Sequence, residues 1–231
     1  MTTVVVTGAN RGLGLALVQQ YTATGADVIA GCRHPDTAGA LKATKAEVHP
    51  LDMSSEASIA AFATAVGDRP VNLLINNAGI DAKALGADDA MRGALDITAE
   101  LFRVVLDVNV VGPLLLVQQL AANLRAAQGK VANISSQVGS FVVAQRIGRD
   151  VAYTASKAAL NMVTIKQSQV LRADGVTVIC LHPGWVRSDM GGKGADLEPS
   201  EAAAGIARVL DAVTIADTGS FRVWDGSIHP W

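Results

Sequence analysis

The stretch TVVVTGANRGLG, residues 3–14, contains the local pattern that decides the fold of this chain. A short β-branched run ends at Gly8, and a helical pattern begins at Gly12 almost immediately after it. The glycines follow the spacing T-G-x-x-x-G-x-G rather than the more common G-x-G-x-x-G. Glycine permits a tight turn at such positions, and a helix N-terminus directly beyond it attracts an anion such as a pyrophosphate. An ordinary glycine-rich connection between a strand and a helix is the alternative that the pattern leaves open.

The alternation of strand and helix continues outward from this stretch to the end of the chain. Short apolar runs predict strands over residues 3–8, 27–33, 46–52, 71–79, 130–136, 176–184 and 220–224. Longer patterns predict helices over residues 12–25, 55–66, 98–110, 113–127, 153–172 and 200–212. The predicted fold class is α/β: a Rossmann-like, doubly wound parallel sheet with helices on both faces, in three layers. Residues 1–231 show no linker or repeat, so we expect a single domain whose functional groups follow the ends of strands.

The composition argues against several classes of partner. A net charge of −2 over 231 residues offers no basic surface for nucleic acid or for an acidic membrane. The most apolar long stretch is interrupted by Asp107, Asn109 and Pro113, and the N-terminus lacks the pattern of a signal peptide, so we expect a cytoplasmic protein. Cys32 and Cys180 lie in apolar runs, which indicates reduced, structural thiols. The four histidines lack the spacing of metal ligands, so no metal site is expected.

The end of the second predicted strand, IAGCRHP, bears on which dinucleotide would bind. Cys32 stands where an acidic residue would bond the 2′-hydroxyl of a ribose, and Arg33 follows it. Arg11 in the glycine loop could converge on the same group, since arginine suits bidentate contact with a phosphate. Either arginine alone could equally be a solvated surface side chain, and Asp36 is a possible acidic competitor. Taken together, the two arginines favour NADP(H).

A second informative stretch is DVAYTASKAALN, residues 150–161. Tyr153 and Lys157 are four positions apart, which places them on one face of the predicted helix. A free tyrosine has a pKa of about 10, but a nearby ammonium stabilises the phenolate, and so would the positive end of a bound nicotinamide. A phenol tuned in this way towards neutral pH could exchange a proton with a reacting carbonyl. A hydroxyl from NISSQVG, at the end of the fifth strand, would complete the arrangement. The alternative is that Tyr153 simply packs and Lys157 points into water.

Together these motifs resemble the short-chain dehydrogenase/reductase family over nearly the whole chain. TGANRGLG looks like its cofactor loop, NNAG at 76–79 like the segment beside the cofactor, and HPGWVRSDM like the nicotinamide-side loop. The resemblance implies a catalytic tetrad of Asn109, Ser136, Tyr153 and Lys157, in which the asparagine holds a water of the proton relay. The residues that it implies for binding NADP(H) are Gly8, Asn10, Arg11, Gly12, Leu13, Gly14, Arg33, Asp52, Met53, Asn77, Ala78, Gly79, Tyr153, Lys157, Pro183, Gly184, Val186 and Ser188.

The chain departs from the family pattern at two places. Ser136 lies further from Tyr153 than the family's usual spacing, which Ser140 would fit better. We prefer Ser136 because it follows a strand directly, and we assign the extra residues to the segment VAQRIGRD, 143–150, bordering the substrate. Ser188 replaces the usual threonine and keeps the hydroxyl. The arginines and the loop LHPGWVRSDMGG resemble the carbonyl-reductase and C-factor-like branches of the family.

These features predict an NADPH-dependent carbonyl reductase that converts a ketone or aldehyde to an alcohol, reversibly. The alternative is a nucleotide-binding signalling or redox-sensing protein of the same fold with incidental catalysis. A small apolar carbonyl or alcohol substrate is expected because apolar residues line the predicted cleft: Ala82, Ala84, Val138, Phe141, Val142, Val143, Trp185 and Met190. From the family resemblance we also expect a homodimer or homotetramer, without nucleic-acid or membrane partners.

Overall fold

The computed structural model describes residues 2–145 and 150–231, and these residues form one seven-stranded sheet. Every strand pairs with its neighbours in parallel, in the order β3-β2-β1-β4-β5-β6-β7. The strands are Thr3–Thr7 (β1), Asp27–Cys32 (β2), Glu47–Pro50 (β3), Leu73–Asn76 (β4), Lys130–Ile134 (β5), Thr177–His182 (β6) and Phe221–Val223 (β7). The strand order reverses between β1 and β4, which is where doubly wound sheets open a crevice for ligands. The predicted α/β class and parallel sheet are confirmed.

Helices cover both faces of this sheet. The helices are Gly12–Ala23 (α1), Gly39–Lys42 (α2), Glu56–Val66 (α3), Ala99–Leu106 (α4), Gly112–Gln119 (α5), Ala121–Ala127 (α6), Phe141–Ala144 (α7), Val151–Leu171 (α8) and Pro199–Ala212 (α9). No helix in the described part of the chain is both long enough and apolar enough to cross a membrane.

The strands are apolar along their whole length because both of their faces are buried. In β1, Val4 and Val6 belong to the cluster that includes Leu17 of α1, whereas Val5 between them belongs to the cluster with Phe62 of α3. Successive side chains of a strand point to opposite faces, so one short run contributes to both hydrophobic layers. This burial fixes the register of β1 and therefore the position of the glycine loop that follows it.

The two helices expected over 98–110 and 113–127 are subdivided in the structure. A π-helical turn, Asp107–Val111, joins α4 to α5, and a break at Leu120 separates α5 from α6. Close packing contributes to this geometry, since a Cβ at Gly112 would collide with the carbonyl oxygen of Met53. The π turn matters for function because it carries Asn109, and such turns occur often at functional sites.

Candidate active site

The glycine loop after β1 is shaped by contacts that only glycine allows. Gly8 and Gly12 have φ angles of +65° and +53°, in the left-handed region. A Cβ on Gly8 would lie 2.8 Å from the Cα of Ala78, and a Cβ on Gly14 would collide with the carbonyl oxygen of Gly8. The loop therefore packs directly against the segment that follows β4.

That segment, Asn77–Gly79, is hydrogen-bonded to the start of the glycine loop. The Thr7 hydroxyl accepts hydrogen bonds from the backbone N–H groups of Asn77 and Ala78, each at 3.0 Å. The Asn77 amide donates to the carbonyl of Thr7 at 2.9 Å. A Cβ on Gly79 would lie 3.5 Å from the Nζ of Lys157, so this segment also reaches the catalytic candidates. It links the two parts of the expected site.

The N-terminus of α1 fits a bound pyrophosphate. Arg11 is the N-cap residue but makes no side-chain capping bond, and the first turn contains no acidic residue. The first N–H groups of α1 therefore remain available for an anion at the carboxyl edge of the sheet. Asn10 is exposed beside them, while Leu13 is partly buried against the core cluster. Because Cβ atoms at Gly8 and Gly14 would collide with their neighbours, the compact loop that a dinucleotide needs is already formed.

The residues expected to bind the adenosine end have different environments. Arg33 is exposed directly after β2, and Met53 is buried against α5. Burial raises the pKa of the Asp52 carboxyl, but hydrogen bonds from Ser54 and the charge of Arg33 outweigh it and hold that pKa below its usual value. The Arg11 guanidinium forms an ion pair with Asp189 at 2.6 Å, and both side chains are largely exposed. The two arginines therefore remain accessible, although Arg11 has an acidic partner.

The expected nicotinamide-side loop folds back against the glycine loop. Gly184 has a φ of +82°, and a Cβ there would collide with Leu197. Val186 is buried and pairs with Leu197 in an isolated bridge. The hydroxyl of Ser188 accepts a hydrogen bond from Gly191 N at 3.1 Å. A Cβ on Gly12 would lie 3.4 Å from the Cβ of Ser188, so this loop touches the phosphate-binding turn. Pro183 is partly buried at its start.

Tyr153 and Lys157 lie on the first turns of α8, as their spacing predicts. The Nζ of Lys157 is 5.5 Å from the centroid of the Tyr153 ring and donates to the carbonyl of Ile134 at 2.9 Å. Lys157 is buried, with 4% of its surface exposed. Its ammonium is thus held between the end of β5 and the phenol ring, and it does not point into water.

The electrostatics of this pair differ from the sequence-based expectation. Burial raises the pKa of Tyr153 to about 12; a hydrogen bond with Ser136 opposes this, and the charges of Asp81 and Asp150 reinforce it. Burial also lowers the pKa of Lys157 to about 8. The lysine alone therefore does not bring the phenol towards neutrality, and the expectation, which also involves a bound nicotinamide, stays a prediction. At neutral pH the phenol is protonated, which suits a proton donor.

Asn109 is fixed by three hydrogen bonds at the π turn. Its Oδ1 accepts from Ile80 N at 2.8 Å, and its Nδ2 donates to Ile80 O at 2.8 Å and to the Ser156 hydroxyl at 2.9 Å. The residue is fully buried. Ser156 donates in turn to the carbonyl of Tyr153 at 2.7 Å. Asn109 is thereby joined to the helix of the tyrosine, and Ser156 is a supporting residue that the motif analysis missed.

The structure places the two candidate serines in different surroundings. Ser136 follows β5, and its hydroxyl is near enough to the phenol of Tyr153 to lower the pKa of that group. Ser140 is fully buried, and its hydroxyl donates to the carbonyl of Trp231 at 3.1 Å. Part of the segment 143–150, to which we assigned the extra residues, lies outside the described residues, at 146–149. Ser136 is therefore the serine that faces the phenol.

The residues expected to line the substrate cleft divide into two groups. Phe141, Val142, Trp185 and Met190 are exposed, with 43–75% of their surface accessible. Ala82, by contrast, is fully buried and belongs to the packing beneath the loop. Of the other expected lining residues, Ala84 is exposed and Val138 and Val143 are partly buried.

Comparisons with known proteins agree with this geometry. A family model described as short chain dehydrogenase matches residues 2–198, a range that includes every residue of the expected site. C-signal of Myxococcus xanthus is 38% identical over 174 residues, covering 74% of this chain and 99% of that protein. The 1-hydroxy-2-glutathionyl-2-methyl-3-butene dehydrogenase of Rhodococcus sp. (strain AD45) is 33% identical across 100% of both chains. A crystal structure of NADPH-bound carbonyl reductase from chicken fatty liver has a TM-score of 0.89 and 34% identity, over 100% of this chain and 99% of that one.

Proposed function

Because this chain belongs to the short-chain dehydrogenase family of oxidoreductases, we propose that it is an NADPH-dependent carbonyl reductase that interconverts a ketone or aldehyde and an alcohol. One observation carries the proposal. The phenol of Tyr153 lies near the Ser136 hydroxyl at the end of β5, and the buried ammonium of Lys157 lies 5.5 Å from the centre of the phenol ring. A carbonyl oxygen at that point would meet a proton donor and a hydrogen-bond donor together.

The preference for NADP(H) is supported at the end of β2. Cys32 occupies the end of that strand, so no carboxylate is present there to bond a ribose 2′-hydroxyl, and the exposed Arg33 follows. Arg33 and Arg11 would contact a 2′-phosphate, while the glycine loop and the N-terminus of α1 would hold the pyrophosphate. When bound, NADPH supplies the hydride. The similar chicken liver protein carries NADPH in its crystal structure, which agrees with this choice.

The chain's own residues then have distinct tasks. Tyr153 donates its proton to the carbonyl oxygen, and the Ser136 hydroxyl donates a hydrogen bond to the same oxygen. The ammonium of Lys157 stabilises the phenolate that remains and reaches the ribose hydroxyls. Asn109 holds a water molecule for the return of the proton. The raised pKa of Tyr153 keeps the phenol protonated at neutral pH, as the role of proton donor requires.

The substrate that we propose is a small apolar carbonyl or alcohol. The exposed side chains of Phe141, Val142, Trp185 and Met190 follow β5 and β6, where loops border the reacting end of such sheets. Apolar side chains of this kind bind an apolar ligand by removing its surface from water. A sugar would leave its hydroxyl groups without partners against them.

Replacing the proton donor tests the proposal directly. Tyr153→Phe should lower kcat for ketone reduction by about 10²–10⁴-fold, the contribution typical of a general acid, while NADPH binding remains. The measurement is NADPH oxidation over a panel of apolar ketones and aldehydes, with cofactor affinity from protein fluorescence.

The matched control is Tyr21→Phe, which alters the only other tyrosine. Tyr21 lies in α1, and within the described residues its buried hydroxyl has no hydrogen-bond partner, so activity should be unchanged. Wild-type turnover in Tyr153→Phe would rule out the role assigned to the phenol.

One observation favours a second candidate. The relative at 38% identity is named C-signal, which agrees with a signalling protein of this fold in which catalysis is incidental. The same substrate panel distinguishes the two functions. NADPH binding without turnover of any carbonyl or alcohol would favour the signalling candidate.

A further inference from the structure

Asp150 joins three parts of the molecule at the first turn of α8. Its Oδ1 accepts a hydrogen bond from the N–H of Tyr153 at 3.1 Å, which makes Asp150 the N-cap of the helix. Its Oδ2 accepts from the N–H of Ala82 at 2.8 Å and lies 3.4 Å from the Nε of Arg92. One carboxylate thus connects the tyrosine's own backbone with the loop of residues 81–92.

The carboxylate of Asp150 is buried, and so is most of the side chain of Arg92, which pairs with it. The side chain of Asp150 is 3% exposed and that of Arg92 is 14% exposed, whereas the second partner of Arg92, Asp89, is 99% exposed. An ion pair withdrawn from water interacts more strongly than a surface pair, and removing one member leaves the other uncompensated. An N-cap alone would need only a hydroxyl or amide and no buried arginine.

The charge of Asp150 also acts on the phenol. Among the described residues, the charged groups that influence or contact Tyr153 are Asp81 and Asp150, which disfavour the phenolate, and Lys157, which lies beside the ring. Arg92 pairs with Asp150 and partly neutralises the negative charge of its carboxylate. From the end of β5, the Ser136 hydroxyl favours the phenolate and so lowers the pKa of Tyr153.

We propose that Asp150 is a positioning residue for Tyr153, that Arg92 is its counter-ion, and that this ion pair sets both the place of the phenol and how readily it gives up its proton. The consequence for catalysis rests on the proposed function, but the effect on the phenol does not. Asp150 is negative and Arg92 is positive, so removing one charge or the other should shift the pKa of Tyr153 in opposite directions. A purely structural N-cap would show no such opposition.

The test uses the whole chain without cofactor, in a Tyr21→Phe background, so that Tyr153 is the only tyrosine that ionises. The ultraviolet absorbance of tyrosinate is read immediately after a rapid jump to alkaline pH, before the chain unfolds. Asp150→Asn keeps an oxygen that can cap the helix but removes the charge. It should increase the acid dissociation constant of Tyr153 by about three- to tenfold, as expected for two nearby, partly buried charges.

Arg92→Gln should act in the opposite direction, since it leaves Asp150 uncompensated. The tyrosinate fraction at the same alkaline pH should then fall below that of the parent. Asp89→Asn is the matched control, because it removes only the exposed partner of Arg92 and should leave the fraction unchanged.

The proposal is overturned if neither Asp150→Asn nor Arg92→Gln changes the tyrosinate fraction, or if both change it in the same direction. It is equally overturned if Asp150→Asn lowers thermal stability while the phenol titrates as in the parent, since Asp150 would then be only a cap. If opposite shifts appear in a chain that reduces no carbonyl, the proposed function fails and this inference stands. If the chain is active, the pH profile of kcat should shift in the same direction as the pKa of Tyr153 measured by absorbance.

Discussion

The functional groups near β5 and α8 are buried or partly buried, whereas the cations near β1 and β2 are exposed. We call the groups near β5 and α8 the chemical end. There, Lys157 and Asn109 are almost or fully inaccessible to solvent, and both are hydrogen-bonded to backbone groups. We call the groups near β1 and β2 the phosphate end. There, Arg11 and Arg33 are exposed, and Arg11 forms one ion pair at the surface. The chemical end is held by buried hydrogen bonds before any ligand binds, whereas the exposed arginines of the phosphate end have room to change their side-chain positions.

This contrast follows from what each end must do. Proton transfer requires donors fixed within a fraction of an ångström, and a site excluded from water strengthens each charge in it. Binding a phosphate requires accessible cations whose contribution is moderate and screened by salt. We therefore expect substitutions at the chemical end to affect kcat strongly, and those at the phosphate end to affect cofactor affinity moderately.

After the loss expected for Tyr153→Phe, the next largest effect should come from replacing Ser136, with Ser140 as the comparison. Ser136→Ala removes the hydroxyl that faces Tyr153 and should lower kcat by about 10²–10³-fold, the loss typical of one donor to a developing oxyanion. Ser140→Ala removes a hydroxyl that donates to Trp231 and should leave kcat within a few fold, with a lower melting temperature. Steady-state kinetics with an apolar ketone and thermal unfolding measure both. If Ser140→Ala lost the activity instead, the serine with the family's usual spacing would be the catalytic one.

A smaller effect is expected at the phosphate end, on the choice of cofactor. Arg33→Asp places a carboxylate after β2, where it repels a 2′-phosphate and accepts from a ribose hydroxyl. The ratio of kcat/KM for NADPH to that for NADH should fall by about 10–100-fold, as for the loss of a hydrogen bond between charged groups. The value for NADH is the internal control and should stay the same or rise. An unchanged ratio would show that the 2′-phosphate is bound elsewhere.

Sequence reasoning predicted the fold well because the decisive signals are local. Each of the seven strands corresponds to an apolar run, and the glycine spacing after β1 matches a turn that accepts only glycine at Gly8 and Gly14. Strand ends were less well predicted. The fourth predicted strand extends to Gly79, but β4 ends at Asn76 because the N–H groups of Asn77 and Ala78 donate to the Thr7 hydroxyl. That bond joins residues 70 positions apart.

The parts of the site that the sequence did not predict depend on such distant contacts. The spacing of Tyr153 and Lys157 predicts that they share a helix face, but burial of the phenol, which raises its pKa, is a property of the folded surroundings. Arg11 and Asp189 are 178 positions apart, and neither motif predicts that they pair. Asp150 did leave a local signal, since an aspartate directly before a helical run is a common N-cap.

The smallest predicted effect concerns the Arg11–Asp189 ion pair, which crosses from the glycine loop to the nicotinamide-side loop. Asp189 competes with a phosphate for the Arg11 guanidinium, so Asp189→Asn should tighten NADPH binding. Because both side chains are largely exposed, the gain should be about two- to fivefold in Kd, the range of a surface ion pair, and should vanish at high salt.

Fluorescence titration with NADPH at low and high ionic strength measures this effect. Asp196→Asn is the matched control, because it removes another exposed carboxylate from the same loop and should leave Kd unchanged. Equal tightening in both variants would mean that general negative charge, and not the pairing with Arg11, weakens the cofactor. Weaker binding in Asp189→Asn would instead mean that the pair holds the phosphate end in its binding shape, and the phosphate end would then be as preorganised as the chemical end.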